Sequence, residues 1–177
     1  VGNNSVVITA NDGTVDVTQS FTISVANVND PPTFTSTPDT SATQGQVYTY
    51  TVTTDDVDTG STVTFTATTK PGWLTLISGE LTGTPGNSDV GDNSVVITAT
   101  DGTFNVTQEF IITVANVNDP PTFTSRADTS ATQDAPYSYT VITEDVDTGS
   151  TVTLEGTTIL SWLTSNTTTR VLSGTPR

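Results

Sequence analysis

Apolar and polar side chains alternate along short segments of this chain. A period of two residues is typical of β-strands that bury one face, because successive side chains of a strand point to opposite sides. Three segments show this period, with the apolar positions Tyr48, Tyr50 and Val52, then Val63, Phe65 and Ala67, and then Phe110, Ile112 and Val114. No segment shows the period of a helix. The pattern therefore predicts an all-β fold with no helices.

Turn-forming residues separate these segments at short intervals. Asp58-Thr59-Gly60, Pro71-Gly72 and Asp101-Gly102 each combine residues that favour tight turns. Short strands between such turns indicate an antiparallel β-sandwich.

The chain contains an internal repeat. Residues 2–36 recur as residues 91–125, with 28 of these 35 positions identical at an offset of 89. Self-similarity of this length indicates domains in tandem. With the Asn-Asp-Pro-Pro motif as the boundary, the chain divides into the C-terminal part of one repeat (1–30), one complete repeat (31–119) and the N-terminal part of a further repeat (120–177).

The composition excludes several classes of function. The chain has 177 residues, a net charge of −15, and no His or Cys. An acidic surface repels nucleic acids and anionic membranes, and no apolar run reaches the ~20 residues of a membrane helix. The absence of His and Cys excludes most nucleophile–base pairs, thiol chemistry, zinc sites and disulfides. We therefore expect no enzyme activity, no nucleic-acid partner and no membrane insertion.

Acidic residues gather at three places in each repeat. These are the junction Asn-Val-Asn-Asp-Pro-Pro, the loop motif Asp-Val-Asp-Thr-Gly and the strand end Asp-Gly. Clustered carboxylates repel one another unless solvent or a cation lies between them. Ca²⁺ takes about six to eight oxygen ligands, which Asp, Asn and loop carbonyls supply. The clusters favour a calcium site, while solvated turns remain the alternative.

Several of these motifs carry a family resemblance that spans nearly the whole chain. VNDPP at the junction, DVDTG and ATDG resemble bacterial cadherin-like domains. The Tyr-x-Tyr strand, Gly-Trp-Leu and Leu-Thr-Gly-Thr-Pro-Gly resemble the dystroglycan-type, immunoglobulin-like (Ig-like) subgroup. The resemblance implies Ig-like or cadherin-like antiparallel β-sandwich repeats in tandem, located outside the cell or at its surface. It also implies Ca²⁺ between successive domains, which stiffens the array.

By this analogy, the metal ligands come from the junctions. They are Asn29, Asp30, Asp56, Asp58 and Asp101 at the first junction, and Asn118, Asp119, Asp145 and Asp147 at the second. The chain departs from the cadherin pattern, since Asn27 and Asn116 replace an Asp and Gln44 and Gln133 lie near the place of an early Glu. We therefore expect at most one weakly bound calcium ion at each junction.

These features predict an extracellular structural or adhesive repeat protein. A calcium-dependent adhesin or a carbohydrate-binding module of a larger secreted protein is the alternative, with a surface polysaccharide as partner. Trp73 and Trp162 are the candidate sugar-stacking residues, although Trp-Leu between strands more often packs in a core. Exposed aromatic side chains on a flat outer face would favour the carbohydrate binder.

The two partial repeats complement each other. Residues 1–30 hold two strands and residues 120–177 hold the others, so neither part buries its apolar face alone. Disorder, closure of the chain on itself and completion by a second molecule are the three outcomes, besides a simple excerpt from a tandem array. Completion by a second molecule predicts a head-to-tail filament. It would bring Asp12 of one molecule to Asp145 and Asp147 of another.

Overall fold

The computed structural model describes residues 1–177 and contains sixteen β-strands and no α-helix. The predicted all-β class is confirmed. The only helical element is a 3-10 turn at Asn87–Asp89. No helix in the structure has the length and apolar character needed to cross a bilayer.

The complete repeat contains nine strands. They are β3 (Thr33–Phe34), β4 (Ser41–Thr43), β5 (Tyr48–Thr51), β6 (Thr54–Asp55), β7 (Thr64–Thr69), β8 (Leu74–Ile77), β9 (Glu80–Gly83), β10 (Gly91–Thr100) and β11 (Asn105–Ala115). One sheet has the order β4-β11-β10-β7, a second has the order β5-β9-β8, and β3 pairs with β6. All pairs are antiparallel except β4 with β11, which run parallel.

The core of the complete repeat lies between these sheets. Its buried residues are Tyr48, Tyr50, Val52, Leu74, Leu81, Val95, Ile97 and Ile112. Of the positions that the two-residue period assigned to inward faces, Tyr48, Tyr50, Val52 and Ile112 belong to this core, and Phe65 and Phe110 pack against it. Phe110 meets the Tyr50 ring edge-on at a centroid distance of 5.8 Å.

A glycine sets the spacing between β8 and β9. A Cβ atom at Gly83 would lie 1.9 Å from the carbonyl oxygen of Trp73. Because no side chain fits there, this position of the Leu-Thr-Gly-Thr-Pro motif requires glycine. Gly174 has the same relation to Trp162 in the third part of the chain.

The first part of the chain is an isolated hairpin. Strands β1 (Gly2–Asn11) and β2 (Asp16–Val25) pair with each other and with no other strand. Nearly every residue of the hairpin is exposed. The apolar side chains of Ile8 and Ile23 are 53% and 50% exposed, whereas their counterparts Ile97 and Ile112 are fully buried.

The third part forms half of a sandwich. Its strands are β12 (Thr122–Phe123), β13 (Tyr137–Thr140), β14 (Thr143–Glu144), β15 (Leu163–Asn166) and β16 (Val171–Gly174). They form a β13-β16-β15 sheet and a β12-β14 pair. The residues equivalent to β4 and β7, at 130–132 and 153–158, form no strand. We refer to Gly2–Val25 as the hairpin and to residues 120–177 as the open half-repeat.

Candidate metal site at the two repeat junctions

Asp58 fastens the first junction to the loop that follows β6. Its Oδ1 accepts a hydrogen bond from Asn27 Nδ2 at 2.8 Å, and its Oδ2 accepts one from the Asp30 backbone N–H at 2.7 Å. The linker before the complete repeat is therefore held through both oxygens of a single carboxylate.

Asp56 orders the loop that presents Asp58. Its Oδ1 accepts the Asp58 backbone N–H at 2.9 Å, and its Oδ2 accepts the Ser61 hydroxyl at 2.8 Å. Bonding of a side chain to the backbone two residues on is how Asp residues build a turn. The Asp-x-Asp spacing thus has a structural use in the loop itself.

Asp101 is the second contact between the linker and the complete repeat. Its Oδ2 accepts a hydrogen bond from Asn29 Nδ2 at 2.8 Å, across 72 positions of sequence. Its Oδ1 accepts the backbone N–H groups of Thr103 and Phe104, each at 2.7 Å. The hydrogen bond from Phe104, followed by those from Asn29 and Thr103, lowers the pKa of Asp101 because each favours the ionised form.

The second junction repeats the first contact with one difference. Asp119 donates its backbone N–H to Asp147 Oδ2 at 2.7 Å, and Asp145 Oδ1 accepts the Asp147 backbone N–H at 2.9 Å. Asp147 is only 7% exposed, and its Oδ1 is buried without a hydrogen-bond partner. The equivalent oxygen of Asp58 accepts Asn27.

An unpartnered buried carboxylate oxygen is costly, since it has lost its water and gained no donor. A bound cation would interact with this oxygen in place of the missing hydrogen-bond donor. The buried Asp147 oxygen is therefore the observation in this structure that fits a metal ion.

Two stretches of the chain match a protein-family model described as Putative Ig domain. The matched stretches are residues 31–115 and 120–177, which are well over half of the chain. The chain belongs to this Ig-domain family. The expected resemblance to Ig-like repeats is thereby confirmed.

One solved structure with a fold similar to that of the Ig-domain chain is a cadherin fragment. The EC1-3 fragment of mouse protocadherin-24 aligns with a TM-score of 0.55 and 18% identity, over 98% of this chain and 66% of that one. This likeness shows the fold alone. No curated protein sequence matches the chain.

Two further structures align at lower scores. An endo-fucoidan hydrolase from glycoside hydrolase family 107 has 24% identity and a TM-score of 0.46 over 99% of this chain. The SrpA adhesin from Streptococcus sanguinis has 17% identity and a TM-score of 0.43, over 60% of this chain and 70% of that one. This chain spans only 30% of the length of the fucoidan hydrolase.

The structure brings the expected ligands of the Ig-domain chain together in pairs. Asp58 joins Asp30 through a backbone N–H, and Asn29 joins Asp101. No group of three acidic side chains lies close enough to hold one metal ion. Asn118 donates to the backbone carbonyl of its neighbour Asp119 at 3.1 Å.

Asp12 lies apart from the other candidate ligands, in the turn of the hairpin. Its Oδ1 accepts the backbone N–H groups of Thr14 and Val15, both at 2.9 Å. These bonds, Val15 first, lower the pKa of Asp12. Asp12 thus repeats the local turn of Asp101 on a strand pair that no linker contacts.

Sequence reasoning missed the role of two glutamines. Gln44 Nε2 donates to Asp119 Oδ2 at 3.0 Å, and Gln44 Oε1 accepts the Val117 backbone N–H at 3.1 Å. Gln108 accepts the Tyr50 hydroxyl at 2.7 Å and donates to the Ser36 carbonyl at 3.0 Å. Gln108 shares the inward parity of Phe110, so a polar residue at an apolar position was the available signal.

Proposed function

We propose that the chain is a non-catalytic segment of an extracellular adhesive or structural protein, in which Ig-like repeats form a rod. The observation that carries the proposal is the hydrogen bond that joins the linker to the following repeat at each junction. The backbone N–H of Asp30 binds Asp58 at 2.7 Å, and that of Asp119 binds Asp147 at 2.7 Å. A linker tied to the following domain limits bending between repeats. The acidic residues recur with the repeat, which supports a structural use rather than a catalytic one.

Calcium at the junctions is the second part of the proposal. At the second junction, Asp147 Oδ1 would be a ligand, with Asn118, Asp119 and Asp145 as the further oxygen donors. At the first junction, Asn29, Asp30, Asp56, Asp58 and Asp101 would have that role. A bound Ca²⁺ would neutralise neighbouring carboxylates that belong to the linker and to the domain.

Calorimetric titration of the whole chain with CaCl₂ tests this part. We expect dissociation constants of ~10⁻⁴–10⁻³ M, the range of extracellular calcium modules. Asp147→Asn removes the charge at the buried oxygen and should abolish binding at the second junction. Asp128→Asn is the matched control, because the Asp128 carboxylate bonds only to Ser130 and lies outside both junctions. Absence of both binding heat and thermal stabilisation at ~10 mM Ca²⁺ would contradict the calcium proposal.

Head-to-tail assembly is the third part. The hairpin exposes an apolar face, and the open half-repeat exposes Phe123, Ile142, Ile159 and Leu160. Exposure of either surface to water is unfavourable, and because both surfaces are apolar they can be buried against each other. A heterologous contact between copies forms a filament unless the rotation closes a ring. Light scattering and electron microscopy of the purified chain over a concentration series should show growing oligomers, and a monomer at every concentration would contradict assembly.

A carbohydrate-binding role is the second candidate, favoured by one feature. Trp162 borders an open cleft of about 630 Å³ together with Asp134, Ser161 and Thr175. The equivalent Trp73 packs edge-on against Tyr48 at 6.0 Å and donates Nε1–H to Asn93 at 3.1 Å, which supports a core role instead. Retention on insoluble polysaccharide that Trp162→Ala abolishes and Trp73→Phe does not would establish the sugar site. Equal retention of the two variants on the polysaccharide would contradict a sugar site at Trp162.

A further inference from the structure

We propose that the complete repeat holds the following repeat in one orientation through side-chain amides, without a metal ion. This inference rests on the proposed rod and names what keeps its repeats aligned. The contacts lie around residues 116–121, which connect β11 to β12 and which we call the exit linker. Gln44 and Asn87 of the complete repeat supply the amides, and we call these two side chains with their partners the amide clamp.

Two prolines restrict the second half of the exit linker. The rings of Pro120 and Pro121 lock their φ angles, and a residue that precedes a proline is restricted to extended conformations. Asp119 precedes Pro120 and is therefore restricted as well. The remaining backbone freedom lies at residues 116–118, where a change of backbone angles would change the angle between the two repeats.

Gln44 binds along this first half of the exit linker. Its backbone N–H donates to the Ala115 carbonyl at 3.0 Å, its Oε1 accepts the Val117 backbone N–H at 3.1 Å, and its Nε2 donates to Asp119 Oδ2 at 3.0 Å. The three partners are two residues apart, so a single glutamine continues the pairing of β4 with β11 into the linker. The backbone angles that the prolines leave free are thus fixed by a side chain of the preceding repeat.

Asp119 is bonded to both repeats. Its carboxylate accepts Gln44 of the complete repeat, and its backbone N–H donates to Asp147 Oδ2 of the open half-repeat at 2.7 Å. Asp147 is only 7% exposed, so this end of the contact is largely shielded from water. Hydrogen bonds to an ionised carboxylate are stronger than those between neutral groups. Asp119 therefore connects the side chain of one repeat to the loop of the next.

A second contact lies away from the exit linker. Asn87 Nδ2 donates to the Val146 backbone carbonyl, in the loop that presents Asp147. One contact at the linker would leave rotation about the linker free. Two separate contacts fix the orientation of one repeat relative to the other.

The complete repeat holds the two amides on one braced surface. Gly45 follows the clamp glutamine and donates its N–H to the Pro85 carbonyl at 2.9 Å. This bond joins the loop after β4 to the 3-10 turn Asn87–Asp89. Asp89 Oδ2 accepts the Gly86 N–H at 2.8 Å and so closes that turn. Because the two loops are already ordered, little conformational entropy is lost when they bind the following repeat.

The amide clamp consists of hydrogen bonds and needs no metal ion. Gln44 and Asn87 are neutral donors, and Gln44 satisfies an Asp119 oxygen that would otherwise need water or a cation. In a chain with a net charge of −15, a neutral donor at this place adds no repulsion to the carboxylates of the junction. The orientation of the repeats should therefore persist in a chelator, and calcium binding at Asp147 is a separate property.

The distance between two spin labels tests the clamp in the whole chain, which has no native cysteine. Thr75→Cys on β8 and Thr164→Cys on β15 place the labels at exposed, equivalent positions of the two repeats. Double electron–electron resonance in EDTA should give one narrow distance distribution. Gln44→Ala should broaden this distribution at least about twofold, because two hydrogen bonds to the linker are lost. Gln46→Ala is the matched control and should leave it narrow, since Gln46 is exposed in the same loop and bonds only through its backbone, to Thr43.

Gln44→Glu separates the loss of the donor from the loss of side-chain volume. The variant keeps the size of the side chain but places a second carboxylate against Asp119, and like charges at this distance repel. In EDTA it should broaden the distance distribution at least as much as Gln44→Ala does. A narrow distribution for Gln44→Glu in EDTA would contradict the role of the amide donor.

Backbone hydrogen exchange gives an independent measurement. Gln44→Ala should raise the exchange rate of the Val117 N–H about tenfold, because its acceptor is lost. The exchange rate of the Asp119 N–H should rise with it, since Asp147 alone no longer holds the linker in place. A rise at Val117 alone would show a local contact and overturn the clamp.

The spin-label distances also separate this inference from the proposed function. A narrow distribution that Gln44→Ala leaves unchanged would overturn the clamp while the rod stands. A broad distribution in EDTA that narrows when Ca²⁺ is added would overturn the metal independence and leave a rod stiffened by calcium. A broad distribution in both conditions would overturn the clamp and the rod together.

Discussion

Ile97 and Ile8 are equivalent residues that occupy different environments in one chain. Ile97 is fully buried between the sheets of the complete repeat, whereas Ile8 on the hairpin is 53% exposed. Truncation of a buried isoleucine to alanine costs about 2–5 kcal/mol, because apolar contacts are lost and a cavity remains. Ile97→Ala should therefore destabilise the complete repeat by an amount in that range. Ile8→Ala should change the stability of the complete repeat by less than about 0.5 kcal/mol, since Ile8 lies outside it.

Urea denaturation of the dilute monomer measures this difference. Trp73 reports on the complete repeat when Trp162 is replaced by Phe in all variants. For a slope of about 1 kcal/mol per molar urea, Ile97→Ala should lower the midpoint by about 2 M or more. A midpoint shift common to both variants, or one below about 0.5 M for Ile97→Ala, would refute the assignment of Ile97 to a closed core.

Three further predictions concern the complete repeat. Gly83→Ala places a methyl group 1.9 Å from the Trp73 carbonyl and should cost at least about 3 kcal/mol in thermal unfolding; Gly72→Ala, with open space around it, is the control and should unfold near the wild-type temperature. Burial raises the pKa of Tyr48 to about 12, and the nearby Asp39 charge is the second cause. The stabilising contribution of the neutral Tyr48 side chain is therefore complete below pH 10 and is lost as pH rises to about 12. Alkaline titration of the urea midpoint should show this loss, and Tyr48→Phe should remove it. The folded-state pKa of Asp101 lies below its ordinary value of 3.8, so the stability that the Asp101 carboxylate contributes is present above pH 3.8 and is lost as pH falls through the folded-state pKa. Asp101→Asn should therefore lower stability at pH 7 and make little difference in strong acid. An equal loss of stability at both pH values would contradict this.

The core could be predicted from the sequence because burial of one strand face leaves a local pattern. Tyr48, Tyr50 and Val52 alternate with threonines, and all three are buried in the structure. For the hydrogen bond between the linker and the repeat at each junction, the sequence predicted only that acidic and amide residues cluster there. Its partners are 28 positions apart for Asp30 and Asp58, and no local pattern specifies which atoms of distant loops meet.

The open half-repeat shows a different limit of sequence reasoning. Residues 153–158 repeat most of the polarity pattern of β7, yet they form no strand. A strand requires a partner for its backbone groups, and the partner of β7 is the following hairpin. Local pattern therefore predicts the capacity to pair, and the available neighbours decide whether pairing occurs.

The parallel pairing of β4 with β11 has a mechanical consequence. The two strands lie near opposite chain ends of the complete repeat and pair over Ser41–Thr43 and Thr113–Ala115. Further bonds at the ends of this pair join Thr113 N–H to the Thr40 carbonyl and Gln44 N–H to the Ala115 carbonyl. Because the strands point the same way, a pull along the chain slides one past the other and strains these bonds together. The domain resists tension through a shear clamp and does not open one bond at a time like a zipper.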